Sequence, residues 1–260
     1  MTEYIFPREE FKNTGIYTGI APKHQITELL KEHHYLSKIN NGFRIGKDLG
    51  YGLYDKDRDG KYTLVGCCVY HTPSVQQTVK GMFGEKSNEV AVLEMGRLCL
   101  DPRYHHKNIL SWFVAKTLKN LKQKGYDVVL TYADKDFHSG KIYQALSFYY
   151  YGLSAPKKDF WFLLEDGTYK KHQRGSVKGR DGEWRDRSQK HRYVKFLNKK
   201  KKKLMKWEIK TYRDNDTINE APMNRPEIVC NWCGDVHHDN EECDLYMEQQ
   251  RDMMGDEFNF

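Results

Sequence analysis

The sequence predicts an α+β fold: a mixed, mostly antiparallel sheet with flanking helices, then a basic extension and a small cysteine-containing module. Three observations predict it. Early strand-like stretches are joined by a tight turn rather than by helices, the centre of the chain reads strand–loop–helix–strand, and closely spaced cysteines and a histidine gather near the end. With 260 residues, of which 38% are hydrophobic and 13% aromatic, rings must supply much of the core volume of one or two domains. No run of about eighteen apolar residues occurs, so no membrane-spanning helix is expected. Residues 1–10 lack a charged-then-apolar leader, so secretion is not expected either.

Residues 2–19 are aromatic and read as irregular. Residues 22–34 read as a helix, with Ile26, Leu29 and Leu30 at helical spacing and Pro22 suited to the first turn. That helix runs into His34-Tyr35 and Ser37 before an Asn-Asn-Gly loop. Residues 50–54 and 63–70 read as a strand pair across Asp57-Arg58-Asp59-Gly60, and 75–89 as an excursion with a loose helix. The centre follows: strand 92–100, polar loop 101–107, helix 108–124 and core strand 128–132. Leu110, Phe113, Val114, Thr117, Leu118 and Leu121 share one face of that helix, and Gly125 ends it. A short helix carries Ile142-Tyr143-Gln144-Ala145, 149–153 and 160–164 look like a last strand pair, and 193–197 has the pattern of a short strand.

Charge divides the chain. Residues 167–213 hold 18 Lys and Arg against 4 Asp and Glu, a local +14, whereas 214–260 hold 2 against 13, a local −11. Density of the first kind suggests phosphate partners, with a solvated tail as the alternative. Arg192 and the run Lys199, Lys200, Lys201, Lys202 and Lys203 are the candidate phosphate contacts. The expected organisation is a catalytic domain at 1–166, its basic extension at 167–213, a linker at 214–227, a zinc knuckle at 228–245 and an acidic tail at 246–260. Cys230-x2-Cys233-x4-His238-x4-Cys243 supplies three thiolates and an imidazole, a closed tetrahedral site that makes zinc structural, with His237 as the competing ligand. Cys67, Cys68 and Cys99 lie in apolar strands and read as reduced core thiols, and both groups fit a reducing cytoplasm.

Four places carry chemistry. Arg103, Lys107 and Asn108 precede the central helix and Ser111 lies in its first turns, so backbone amides and cations there suit a pyrophosphate such as that of coenzyme A, or form an ordinary basic cap. Asp134 follows a core strand, as a proton acceptor or as an Asx turn. Tyr143 reads as a general acid or as a buried phenol with one partner. His34 and Tyr35 stand together before a polar loop.

These residues resemble the bacteriophage Mom family of DNA adenine-modification enzymes, which has the GNAT (N-acetyltransferase-like) fold. The matching residues are His34-Tyr35-x-Ser37, Glu94-x-x-Arg97-Leu98, Asp101-Pro102-Arg103, Ser111, Tyr132-Ala133-Asp134, His138-x-Gly140-x-Ile142-Tyr143-Gln144-Ala145 and Tyr151-x-x-x-Ser154. His191-Arg192-Tyr193-Val194-x-Phe196-Leu197 also looks like the family's C-terminal end. The resemblance implies conversion of the exocyclic amine of adenine to a methylcarbamoyl (acetamido-type) derivative that masks phage DNA from restriction in the cytoplasm of an infected bacterium. By that resemblance Arg103 and Ser111 would serve an acyl-CoA or related donor, and His34, Tyr35, Asp134 and Tyr143 would form the transfer site; Arg97, Lys107 and Asn108 are further candidates for the donor. The partner would be duplex DNA with an extruded adenine, or a single strand, and no membrane. The acidic zinc module would dock on a protein. An active-site metal is not legible. Phe137 departs from the family pattern where glycine is expected, and the tail from Tyr212 onward is foreign to it. The competing readings are a GNAT acetyltransferase acting on another amine, of a hypermodified base or a protein, and a nucleic-acid-binding protein without enzymatic activity.

Overall fold

The computed structural model describes residues 16–35, 49–56, 59–105, 108–172 and 176–212, with two short strands at 228–229 and 236–237. β1 (Ile16–Ile20), β2 (Leu49–Lys56), β3 (Tyr62–His71) and β4 (Val92–Leu100) form consecutive antiparallel pairs. The sequence suggests irregular chain at β1 because the usual pattern is inverted there: Thr18 is buried and Ile20 is exposed. α1 (Lys23–His33), with Pro22 as its N-cap, buries Ile26, Leu29 and Leu30 among Cys67, Val69 and Cys99. α2 (Gln76–Phe83) and a 3-10 turn over Gly84–Glu89 replace the loose excursion.

α3 (Ile109–Gln123) crosses the opposite face, as alternate residues of β3 show: Cys67 faces the α1 core, while Cys68 and Tyr70 face the α3 core. The Tyr70 and Thr117 hydroxyls meet at 2.5 Å inside that second core. Phe113, Val114 and Leu121 are fully buried, each contributing about 1.5–3 kcal/mol of burial free energy. Cys67, Cys68 and Cys99 are free and buried, and burial pushes the Cys68 and Cys99 thiols up to about 12, which keeps them protonated and inert.

β5 (Val128–Asp134) runs parallel to β4, paired from Val92↔Val128 to Met95↔Thr131. α4 (Lys141–Ala145) and β6 (Tyr149–Leu153) follow. Here the structure departs from the expected last strand pair. β7 (Lys157–Leu163) turns away and pairs instead with β8 (Tyr169–Lys171) and β9 (Gly182–Arg187) in a separate three-stranded sheet. β10 (Lys190–Phe196) then returns and inserts between β5 and β6, giving the order β1-β2-β3-β4-β5-β10-β6. His191, Tyr193 and Val194 are completely buried. The main sheet therefore extends across the expected boundary at 166, with β10 inserted inside its edge strand β6.

The same insertion changes the reading of several cations. Arg192 donates to the Tyr151 carbonyl at 2.7 Å and lies 4.5 Å from the Trp207 ring centroid, and burial lowers its pKa. It is half-buried in β10 and packs against Trp207. Lys199–Leu204 form a 3-10 helix capped by the Asn198 side chain. Within it Lys201 donates to the Glu89 carbonyl at 2.6 Å, and Lys202 sits over the Tyr149 ring. Lys199, Lys200 and Lys203 remain on this surface.

β11 (Ile228–Val229) and β12 (Val236–His237) pair antiparallel. Cys230, Cys233, His238 and Cys243 lie outside the described residues. Among the described residues no group of three or more His, Cys, Asp and Glu is placed to hold a metal, and no helix is long and apolar enough to cross a membrane.

A chain ended at residue 166 is expected to lose cooperative urea unfolding, because β5 and β6 then lack the strand between them, whereas a chain ended at 212 keeps it. A cooperative transition in the shorter chain would contradict the sheet order.

Candidate active site

The parallel ladder stops at Met95↔Thr131, yet both strands continue. β4 runs on to Leu100 held by β3, and β5 runs on to Asp134 held by β10. Their pairing therefore ends partway, an opening in the ladder between them. The Thr131 hydroxyl closes its inner end by donating to the Met95 carbonyl at 3.1 Å.

Residues from four parts of the chain gather at this opening. His34 ends α1 in an extended conformation, its N–H bonded to the Leu30 carbonyl, and is buried. Its ring stacks on Tyr35 at 4.6 Å. Tyr35 in turn meets Phe137 at 4.9 Å and His138 edge-on at 5.8 Å. Asp134 ends β5, and its carbonyl accepts from the N–H groups of Phe137 and His138, folding the chain back over the site. Oδ1 of Asp134 accepts the Asp136 N–H at 3.2 Å and the Ser188 hydroxyl. The Asx turn that position suggests is thus present, and it fixes the carboxylate.

Tyr143 projects from α4 into the core beside Phe148 and Tyr193. Gly140, in the left-handed region at φ 76°, makes that approach feasible: a Cβ there would stand 2.7 Å from the Tyr193 ring and 3.0 Å from Ala133. The Tyr193 hydroxyl donates to the Ser139 carbonyl and pins the same turn.

The electrostatics favour neutral groups. Burial, the Arg97 guanidinium and His138 lower the His34 pKa to about 4. Burial chiefly lowers His138 as well. Burial, with the charges of Asp134 and Tyr143, raises Tyr35 strongly, and Arg97 opposes this. Burial raises Tyr143 to about 12, although a hydrogen bond with Thr131 opposes that rise. Two imidazoles and two protonated phenols therefore surround one guanidinium and one carboxyl group.

His34, Tyr35, Arg97, Asp134 and Tyr143 are thus brought together. The helix-start residues are placed differently. The Arg103 side chain, 73% exposed, grips the buried Asp101, with Nη2–Oδ2 at 2.6 Å. Burial alone would raise Asp101, and the Arg103 hydrogen bonds bring it below its ordinary value. Asp101 also faces His33 at 3.7 Å, which ties the end of α1 to the loop entering α3. Asn108 is the left-handed N-cap of α3, and Ser111 donates to its carbonyl at 3.0 Å. Lys107 lies outside the described residues. The start of α3 still offers the N–H groups of a fifteen-residue helix.

Sequence reasoning passed over three neighbours. His138 belongs to a quoted motif, and its type and spacing from Asp134 were the available signal. Phe137 departs from the family pattern, and it forms the wall against Tyr35. Ser188 reaches Asp134 from 54 residues away, with no local signal.

His34 gives a pH prediction. Its folded pKa of about 4 lies below the unfolded value of 6.5, so its effect is absent above pH 6.5. As pH falls through that window the unfolded chain takes the proton first, and stability drops by about 3 kcal/mol by pH 4. His34→Gln should flatten this part of the stability–pH curve measured by urea unfolding; an unchanged slope contradicts the burial of a neutral ring.

Several solved structures are similar to the chain. A GNAT family N-acetyltransferase from Escherichia coli (YhbS), solved with CoA, matches at 20% identity and TM-score 0.35, over 52% of this chain and 69% of that one. An N-acetyltransferase from Staphylococcus aureus Mu50 matches at 11% identity and TM-score 0.41, over 71% and 100%. NAA60 of Arabidopsis thaliana, solved with a bisubstrate analogue, matches at 12% identity and TM-score 0.41, over 70% and 99%. No curated protein matches the chain. The Mom protein family matches residues 16–214, from β1 through β10 and the segment that follows it, and the chain belongs to that family.

Proposed function

We propose that this chain is a transferase of GNAT type that moves a group from an acyl-CoA or related donor onto the exocyclic amine of adenine in DNA. The methylcarbamoyl (acetamido-type) product carries a nitrogen beyond a simple acetyl group, which the donor itself or a second nitrogen-bearing substrate must bring, and it would shield phage DNA from restriction. The observation that carries this reading is the convergence of His34, Tyr35, Arg97, Asp134 and Tyr143 where the sheet opens, in a chain of the Mom family.

The chemistry requires such a cluster. The amine of adenine is a poor nucleophile because its lone pair is delocalised into the ring, so it needs a base and a positioned electrophile. Asp134, held by Ser188 and the Asp136 N–H, accepts the amine proton. Tyr143 retains its proton at neutral pH and donates it to the departing thiolate. The aromatic wall of His34, Tyr35 and Phe137 receives the base, which must leave the duplex stack to reach it. The edges of β4 and β5 beyond Met95 and Thr131, which do not pair with each other, suit the arm of a coenzyme A donor, and the start of α3 suits its pyrophosphate.

Mass spectrometry of nucleosides from cells expressing the protein tests the reading. Modified deoxyadenosine is expected, and Asp134→Ala should reduce it about a hundredfold or more with the unfolding midpoint retained. Acetylation of a different target, or no product from the wild-type chain, contradicts the proposal. Full activity in the variant removes Asp134 from the site.

A further inference from the structure

We propose that the small sheet β8-β7-β9 is an arm that grips the polynucleotide strand flanking the target base. The inference rests on the nucleic-acid substrate of the preceding section and assigns the surface that holds it.

The arm is rooted at the candidate site. The chain leaves the main sheet through Ser154 and returns through Ser188 and Gln189. Ser188 donates to Asp134, Gln189 donates to the Ser154 carbonyl at 2.6 Å, and the Lys190 N–H donates to the Ser154 hydroxyl at 3.0 Å. A strand held at this root continues past the carboxylate onto the arm.

The arm hides little of its surface. Every residue of β8 and β9 is exposed, including Trp184 at 57% and Tyr169 at 40%. On one face the Arg185 guanidinium lies 4.9 Å from the Trp161 ring centroid and 4.5 Å from that of Tyr169. On the other face Trp184 packs edge-on against Phe160 at 5.4 Å and leaves its outer surface open. Residues 157–187 carry nine Lys and Arg against six Asp and Glu. Asp159 is engaged by Arg187 and Lys171, Glu183 by Arg185 and Asp186 by Lys158, which leaves the cations in excess by three. Open rings interleaved with surplus cations suit a polynucleotide: bases stack on the rings and phosphates meet the cations. The charge excess and the continuity with Asp134 favour this occupant over a protein partner.

Fluorescence anisotropy of a labelled adenine-containing oligonucleotide tests the arm, using the full chain and its Trp184→Ala and Arg185→Gln variants. Each variant should bind at least about fivefold more weakly, at an unchanged unfolding midpoint. Amide exchange in the wild-type chain gives a second measurement, independent of any variant: exchange across 182–187 should slow when the oligonucleotide is added. Wild-type affinity in both variants, or unchanged exchange in a bound wild-type chain, overturns the arm and leaves the proposed function standing. Self-association lost in Trp184→Ala while oligonucleotide affinity is kept also overturns it. A wild-type chain that binds no oligonucleotide defeats the nucleic-acid reading itself.

Discussion

β4 and β5 are joined by a parallel ladder that ends at Met95↔Thr131, and the candidate site exists because the pairing stops there. Beyond that point, among the described strands, β4 pairs with β3 and β5 with β10, so the two stop pairing with each other while each stays hydrogen-bonded on its outer side. Thr131 marks the junction. Its hydroxyl bonds to the Met95 carbonyl, and the same residue partners the Tyr143 phenol. One buried side chain thereby links the opening of the sheet to a group that would act within it.

Burial is the first cause of the shifts in His34, Tyr35, His138 and Tyr143, and in all four it favours the uncharged form. Such a site does not have to shed tightly bound water from several ions when a substrate enters. Its fixed dipoles act at low local dielectric, where they are worth most. The rigidity has identifiable sources. Asp101 clamps Arg103 and faces His33, Tyr193 pins Ser139, and Ser188 holds Asp134. The contacts of Asp101 with His33, Tyr193 with Ser139 and Ser188 with Asp134 join segments distant in sequence, so the geometry depends on the whole sheet, including β10.

The centre of the chain was legible because its signals are local. The apolar face of α3 and the β-branched run of β5 declare themselves within a few residues, and the Tyr-Ala-Asp and Ile-Tyr-Gln-Ala strings stand beside them. The misreadings share a cause in long-range structure. Neighbouring strands such as β6 and β7 invite a hairpin, and nothing between them announces that β10 will take that place 37 residues after β6 ends, counting Leu153 to Lys190. β9 is exposed along its whole length and so shows no alternation of apolar and polar positions. Charge counts placed Arg192 at the surface, whereas the ring of Trp207 and a carbonyl of β6 draw it inward. Ser188 could be assigned only once the path of the arm was known.

Amide hydrogen exchange at residues 96–98 and 132–134, with and without coenzyme A, tests the opening of the sheet most directly. The account predicts rapid exchange along the edges of these two segments that do not pair with each other in the free chain, and marked slowing when coenzyme A is added. Slow exchange in the free chain, or coenzyme A binding that leaves both segments unchanged, would contradict it.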